Sequence, residues 1–228
     1  MDNTVGRLQS FFSPHQFDVL IGSLLGDARL ECRSIGKRHS MTARLRIHQS
    51  EKQKNYVFWK YEIFKDIVIT PPRRIMTWHD KKRNRKHYSW YFHSKSLEQL
   101  GLLQQCFYQG KTKILPKDVF ELVSPRALAV WFMDDGSNTQ NSYTISTHCF
   151  SKEEQGYIIS LFKEKFNINV TMVKDRSKFK LAFGRNEYQK LNNIIEPYIV
   201  PLMIYKIVNP RNDFVPILSR TRQRQMSL

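Results

Sequence analysis

Ser13-Pro14-His15-Gln16-Phe17-Asp18-Val19-Leu20-Ile21-Gly22-Ser23-Leu24-Leu25-Gly26-Asp27-Ala28 and Ser124-Pro125-Arg126-Ala127-Leu128-Ala129-Val130-Trp131-Phe132-Met133-Asp134-Asp135-Gly136 share one pattern. Each opens on Ser-Pro, a good N-cap followed by a proline at the first helical position. Each then runs apolar almost all round and ends in acid. A helix apolar on every side must be buried. Two of them in one small chain are expected to bury against each other.

The flanking sequence repeats as well. Strand-like segments follow the first helix, then Ser50 opens a helix running to about Asp66. Strand-like Tyr143 to His148 follow the second, then Ser151 opens a helix to about Phe166, with Glu154 completing a capping box. Each half adds another strand pair and a closing helical stretch. The expected fold is α+β: a duplicated αββαββα unit forming a pseudo-twofold pair with two antiparallel sheets. The expected divisions are a first half at 11–110, a linker at 111–123, a second half at 124–215 and a flexible basic tail at 216–228, which carries Arg220, Arg222 and Arg224.

The chain of 228 residues has 41% hydrophobic residues and a net charge of +17. It is long enough to bury a real core. No apolar run is long enough to cross a bilayer, and Met1 to Ser10 lack the apolar core of a secretory signal. So strong a positive imbalance points to a polyanionic partner, nucleic acid first. Cys32, Cys106 and Cys149 are far apart and odd in number, which argues against a zinc site or a disulfide framework. They are expected to be small buried hydrophobes.

The positive charge sits on strand-like segments. In Ala43 to His48, Arg44, Arg46 and His48 alternate with Ala43, Leu45 and Ile47, so a period of two sends the sets to opposite faces. The outward set is all basic or neutral. A second hairpin carries Arg73, Arg74, Lys81, Lys82, Arg83, Arg85 and Lys86, with aromatics on either side of its tip. In the second half, Lys174, Arg176, Lys178 and Lys180 occupy alternate positions opposite Phe179, Leu181 and Phe183. A twisted sheet with one basic face suits the major groove, where base edges are distinguishable. The hairpin tip and the tail suit phosphates.

In a protein this basic, Asp27 and Asp135 at the ends of two buried helices need a reason. Burying a carboxylate is costly, and a helix C-terminus is already negative. A divalent cation between the two ends offsets both costs, and oxygen ligands of this kind suit Mg²⁺, with Mn²⁺ substituting. Such metals at a phosphodiester activate water and stabilise the leaving oxygen.

The two segments resemble the paired motifs of the LAGLIDADG homing endonucleases, in their single-chain, pseudo-dimeric form. The nine motif positions fall on Leu20 to Ala28 and on Leu128 to Gly136, with the metal-binding acid at the eighth, Asp27 and Asp135. Leu25 and Ala28 depart from the pattern in the first copy, as do Trp131, Phe132 and Met133 in the second. Thr70-Pro71-Pro72, Lys113-Ile114-Leu115-Pro116 and Pro201 to Lys206 extend the likeness over most of the chain. The resemblance implies active-site lysines at Lys113 and Lys206 and a helix interface at Gly22 and Gly26. It further implies a monomer that cuts both strands of a long asymmetric DNA target across the minor groove, leaving 3′ overhangs. It also implies an intron-encoded origin and organellar residence. No initial catalytic Cys or terminal His-Asn marks an intein. Two rivals share the charge pattern: a maturase that binds intron RNA, and a non-catalytic DNA-binding regulator. No membrane partner is expected.

Overall fold

The computed structural model describes residues 4–32, 42–139 and 142–208. A leading helix α1 (Thr4–Phe11) precedes the first unit. That unit runs α2 (Pro14–Leu25), β1 (Arg29–Cys32), β2 (Ala43–Ser50), α3 (Lys54–Phe64), β3 (Arg73–Asp80), β4 (Arg85–His93) and α4 (Glu98–Phe107). A small hairpin of β5 (Tyr108–Gln109) and β6 (Thr112–Lys113) spans the start of the expected linker, which also contains α5 (Val119–Leu122). The second unit runs α6 (Pro125–Asp135), β7 (Gly136–Asn138), β8 (Tyr143–Ile145), α7 (Lys152–Phe166), β9 (Thr171–Asp175), β10 (Lys178–Phe183) and α8 (Arg185–Ile195). A 3₁₀ segment, Pro201–Lys206, follows. The tail and its arginines lie outside the described residues.

The two sheets have the same topology. Strand order is β1-β2-β4-β3 in the first and β7-β8-β10-β9 in the second, antiparallel throughout. The αββαββα unit is therefore duplicated.

Local chemistry accounts for the helix starts. The Ser13 hydroxyl accepts the Gln16 amide and the Gln16 side chain accepts the Ser13 amide, closing a capping box. Ser124 accepts the Ala127 amide at 3.0 Å. Ser151 and Glu154 form the expected box. Ser50 differs: its hydroxyl donates to the Gln53 side chain, a short 3₁₀ segment intervenes, and α3 starts only at Lys54.

The central contact is α2 against α6, whose residues are buried from Val19 to Leu25 and from Ala127 to Asp134. The helices run side by side in the same direction. Asp18 accepts Ser124 at 2.7 Å and Arg126 at 3.2 Å near their starts, and Gly26 meets Asp134 near their ends. Two glycines set the spacing. A Cβ on Gly22 would lie 2.3 Å from the Ala127 carbonyl oxygen, and one on Gly26 would lie 2.6 Å from the Asp134 Cβ. Gly22→Ala must therefore push backbone apart, and overpacking of this kind costs about 1–3 kcal/mol. A methyl group on Gly156, in the middle of α7, would meet nothing within 4 Å, so Gly156→Ala should add roughly 0.5–1 kcal/mol. Urea unfolding midpoints should move down for the first and up for the second.

Candidate active site and nucleic-acid interface

Helix α2 stops at Leu25, and Asp27 lies just past the capping Gly26, whereas α6 runs through Asp135 itself. The first acid was expected within its helix. It stands instead in the turn that leads into β1.

Lys113 and Lys206 make matching contacts. The Lys113 ammonium donates to the carbonyls of Gly26 (2.8 Å) and Ala28 (3.0 Å), on either side of Asp27. The Lys206 ammonium donates to the carbonyls of Asp134 (3.3 Å) and Gly136 (2.6 Å), on either side of Asp135. Three of these carbonyls, those of Gly26, Asp134 and Gly136, lie at helix ends or their caps, where carbonyls lack intrahelical partners. Each lysine thus satisfies them and places a positive charge beside an acid. Burial lowers both lysine pKa values, while the neighbouring aspartates act to raise them.

The carboxylates respond in the opposite direction. Burial raises Asp27, the charge of Asp134 adds to the rise, and Lys60, Lys206 and Lys113 oppose it. Burial, then Asp27 and Asp134, push Asp135 up to about 8 against the pull of Lys113 and Lys206. No described residue hydrogen-bonds the Asp135 carboxylate, so its oxygens remain available to another ligand. The donor set fits a hard divalent cation: two carboxylates from two half-sites, with water and phosphate oxygens able to complete the shell. No larger cluster of His, Cys, Asp or Glu with metal-binding geometry occurs among the described residues.

Beneath this site lies a buried ion pair that sequence reasoning did not reach. Lys60 of α3 meets both oxygens of Asp134 at 2.8 and 2.9 Å, and both side chains are fully buried. Gln49 donates to Asp134 at 3.0 Å and to Asp27 at 3.4 Å. Lys60 also lies over the Tyr56 ring at 4.6 Å. Two signals were present in the sequence. Lys60 interrupts an apolar stripe of Tyr56, Val57 and Phe64, and Gln49 occupies an inward position of β2.

The alternation in β2 holds: Ala43, Leu45, Ile47 and Gln49 are buried while Arg44, Arg46 and His48 are partly exposed. That outward face is not wholly basic, because β1 adds Glu31 opposite Arg44. Glu31 binds Arg29 (2.7 Å), Arg44 (2.7 Å) and Arg46 (3.1 Å), with His93 at 3.5 Å. Burial would raise its pKa, but hydrogen bonds from Arg44, Arg46 and Arg29 hold it down at about 2. Arg73 pairs with Tyr91, itself opposite His48, and so shares this face.

Other basic residues stand differently from expectation. Arg74 lies on the opposite face, bound to Glu51 at 2.9 Å and stacked on Tyr88 at 3.6 Å. Lys86 pairs with His79 on that same face. Lys81, Lys82, Arg83 and Arg85 are exposed at the hairpin tip, as expected. In the second sheet the reversal between β9 and β10 resets the alternation. Arg176 sits in the turn with φ 57°, and Lys174 pairs with Phe179, so it shares that residue's face and not that of Lys178 and Lys180. Lys180 binds Asp175 at 3.1 Å. The cysteines also differ from expectation: Cys32 and Cys106 are half-buried and Cys149 is exposed.

A pseudo-twofold pair of helices that delivers two acids between two sheets defines a class of single-chain duplicated folds. Residues 17–191 match the LAGLIDADG DNA endonuclease family, and the chain belongs to that family. It is 30% identical over 209 residues to the DNA endonuclease I-ChuI of Chlamydomonas applanata, covering 84% of this chain and 94% of that one. It is 27% identical over 220 residues to the cytochrome b mRNA maturase bI2 of Saccharomyces cerevisiae, covering 92% of this chain but only 50% of the maturase. The chain thus spans about half of the maturase's length and nearly all of I-ChuI's. Among solved structures, the homing endonuclease I-WcaI bound to its DNA recognition sequence superposes with a TM-score of 0.76 at 25% identity, over 90% of this chain and 92% of that one.

The raised Asp135 carboxyl has a consequence for stability. Its folded pKa is about 8 against an ordinary value of 3.8, so the folded state holds the proton more tightly than the unfolded state. The resulting stability is fully present below the ordinary value and is lost as pH rises through about 8. In EDTA, Asp135→Asn should therefore gain on wild type across that window, and the gain should level off at higher pH. Thermal melts at a series of pH values measure it; parallel curves would remove the burial and charge crowding from Asp135.

Proposed function

We propose that the chain is a site-specific double-strand DNA endonuclease, acting as a monomer on a long asymmetric target and leaving 3′ overhangs. The observation that carries this reading is the placement of Asp27 and Asp135 at the paired ends of α2 and α6, each beside a lysine bound to its flanking carbonyls. Asp27 and Asp135 are the residues to hold Mg²⁺ or Mn²⁺. Bound there, the cation would supply a water of lowered pKa and charge stabilisation at the leaving oxygen. Lys113 and Lys206 keep positive charge beside the carboxylates and the phosphate as negative charge develops there. Arg44, Arg46, His48 and Arg73 present donors to base edges from the first sheet, and Lys178 and Lys180 do so from the second. Lys81, Lys82, Arg83 and Arg85 grip phosphates. The halves 11–110 and 124–215 each serve one half-site. An intron-encoded origin and organellar residence fit the relatives.

A second reading is favoured by the likeness to the cytochrome b mRNA maturase, a role in which the partner is intron RNA. The two aspartates separate the readings. Asp27→Asn and Asp135→Asn should each abolish double-strand cutting in Mg²⁺ while target affinity survives, because the DNA contacts lie on the strands. Support for RNA splicing should be indifferent to both changes. Cutting at the wild-type rate by either variant would take that aspartate out of the site.

Selection on randomised targets tests the interface. Arg44→Ala or Arg46→Ala should change the preferred bases, whereas Lys82→Ala or Arg83→Ala should weaken binding to all sequences alike and flatten its salt dependence. An unchanged preference in the strand variants would remove the first sheet from base readout.

A further inference from the structure

We infer that Asp134 is a positioning residue for Asp27, so that the acid of the first half is oriented by a side chain of the second, with no reciprocal contact among the described residues. The inference rests on the endonuclease reading above and deepens it.

Asp134 crosses the pseudo-dyad. Its Oδ2 faces the Asp27 amide at 3.4 Å, and its Oδ1 accepts Gln49, whose amide group also reaches Asp27 Oδ2 at 3.4 Å. Lys60 clamps both Asp134 oxygens from within the core. Asp134 therefore has a fixed rotamer, and through Gln49 and the main chain it restricts where the Asp27 carboxylate points. None of these parts has a counterpart in the second half. Gly26 holds the motif position equivalent to Asp134. Tyr56 and Tyr157 match in their helices, which puts Leu161 in the place of Lys60. Gly136, the residue after Asp135, pairs with Ile145; extending the Arg29–Arg46 register by one residue sets Ala28, the residue after Asp27, opposite Ile47. Two residues on, Thr147 stands in the place of Gln49, and it donates to Gln155 at 2.9 Å rather than to an acid. Among the described residues, Asp27 is tethered and Asp135 is not. The two half-sites are unequally built, and they should cut their strands with unequal dependence on this core.

The test resolves the two strands. A duplex target labelled on both strands is cut in Mg²⁺ by wild type, by Lys60→Met/Asp134→Ala, by Lys60→Met/Asp134→Asn, and by Gln49→Ala. The double variants remove the charges together, which avoids an orphaned buried lysine. Gln49→Ala leaves the ion pair intact and so guards against a double variant that does not fold. Loss of an orienting partner typically costs roughly 10–100-fold, and that loss should fall on one strand while the other keeps its rate. Asparagine, which retains an acceptor for Gln49, should restore most of the lost rate, and target affinity in EDTA should be unchanged. Equal slowing of both strands, in the double variants or in Gln49→Ala, would overturn the positioning role while leaving the endonuclease reading in place. A wild type that cuts neither strand overturns that reading and this inference with it.

Discussion

The close approach of α2 to α6 is the constraint on which the site depends. Without side chains at Gly22 and Gly26 the two helices come together until the Ala127 carbonyl fills the space of the missing methyl. Because the helices run in the same direction, that contact brings both C-terminal ends to one place. It also concentrates negative charge there, from two helix dipoles and three carboxylates. The structure answers with three lysines from three separate segments. Lys113 and Lys206 neutralise the helix ends through their carbonyls, and Lys60 neutralises Asp134 from inside the core. The site is therefore an electrostatic consequence of helix packing, and the duplicated sheets are carried on its two sides.

The same logic separates two uses of basic residues in a chain of net charge +17. The lysines at the dyad are buried or half-buried and engaged with protein oxygens. The arginines of the first sheet are partly exposed, and three of them are gathered on Glu31. One carboxylate that binds three guanidiniums holds them in place before any partner arrives, lowering the entropy lost when they engage one. The face remains strongly positive, since a single acid cannot balance three arginines.

Much of this was legible in the sequence because it is local or periodic. Ser-Pro starts, all-round apolar helices and strict alternation in β2 can be read from neighbours in the chain, and the repeat of that pattern reveals the duplication. What was not legible depends on partners far away in sequence. The alternating lysines at 174, 178 and 180 read as one face only if the chain continues straight; the turn at Arg176 changes which residues share a side. Arg74 seemed equivalent to Arg73, yet adjacent strand residues point oppositely, and Glu51 claims it on the helix side. Ser50 looked like Ser151 and has Gln53 three residues on, but its hydroxyl donates to that side chain instead of capping an amide, and a 3₁₀ segment intervenes before α3. Glu31 lies outside the basic runs, so the mixed character of the first face was visible only once β1 paired with β2. Lys60 and Asp134 are separated by 74 residues, and only the packed core shows that they neutralise each other.

The pairing of Gly26 with Asp134 shows what a single duplicated chain can build that a symmetric dimer cannot. The equivalent motif positions face each other across the pseudo-dyad with room for one side chain. A Cβ at 26 would lie 2.6 Å from the Asp134 Cβ and 2.8 Å from its carboxylate oxygen. In a true twofold dimer both positions carry the same residue. Two aspartates would collide and repel, and two glycines would leave Lys60 without its carboxylate partner. Here the halves have become chemically different, which lets a single carboxylate occupy the closest contact between them. The asymmetry is thus not confined to the surface that meets the partner: it begins in the core, at the closest contact between the two halves, directly beside the acids.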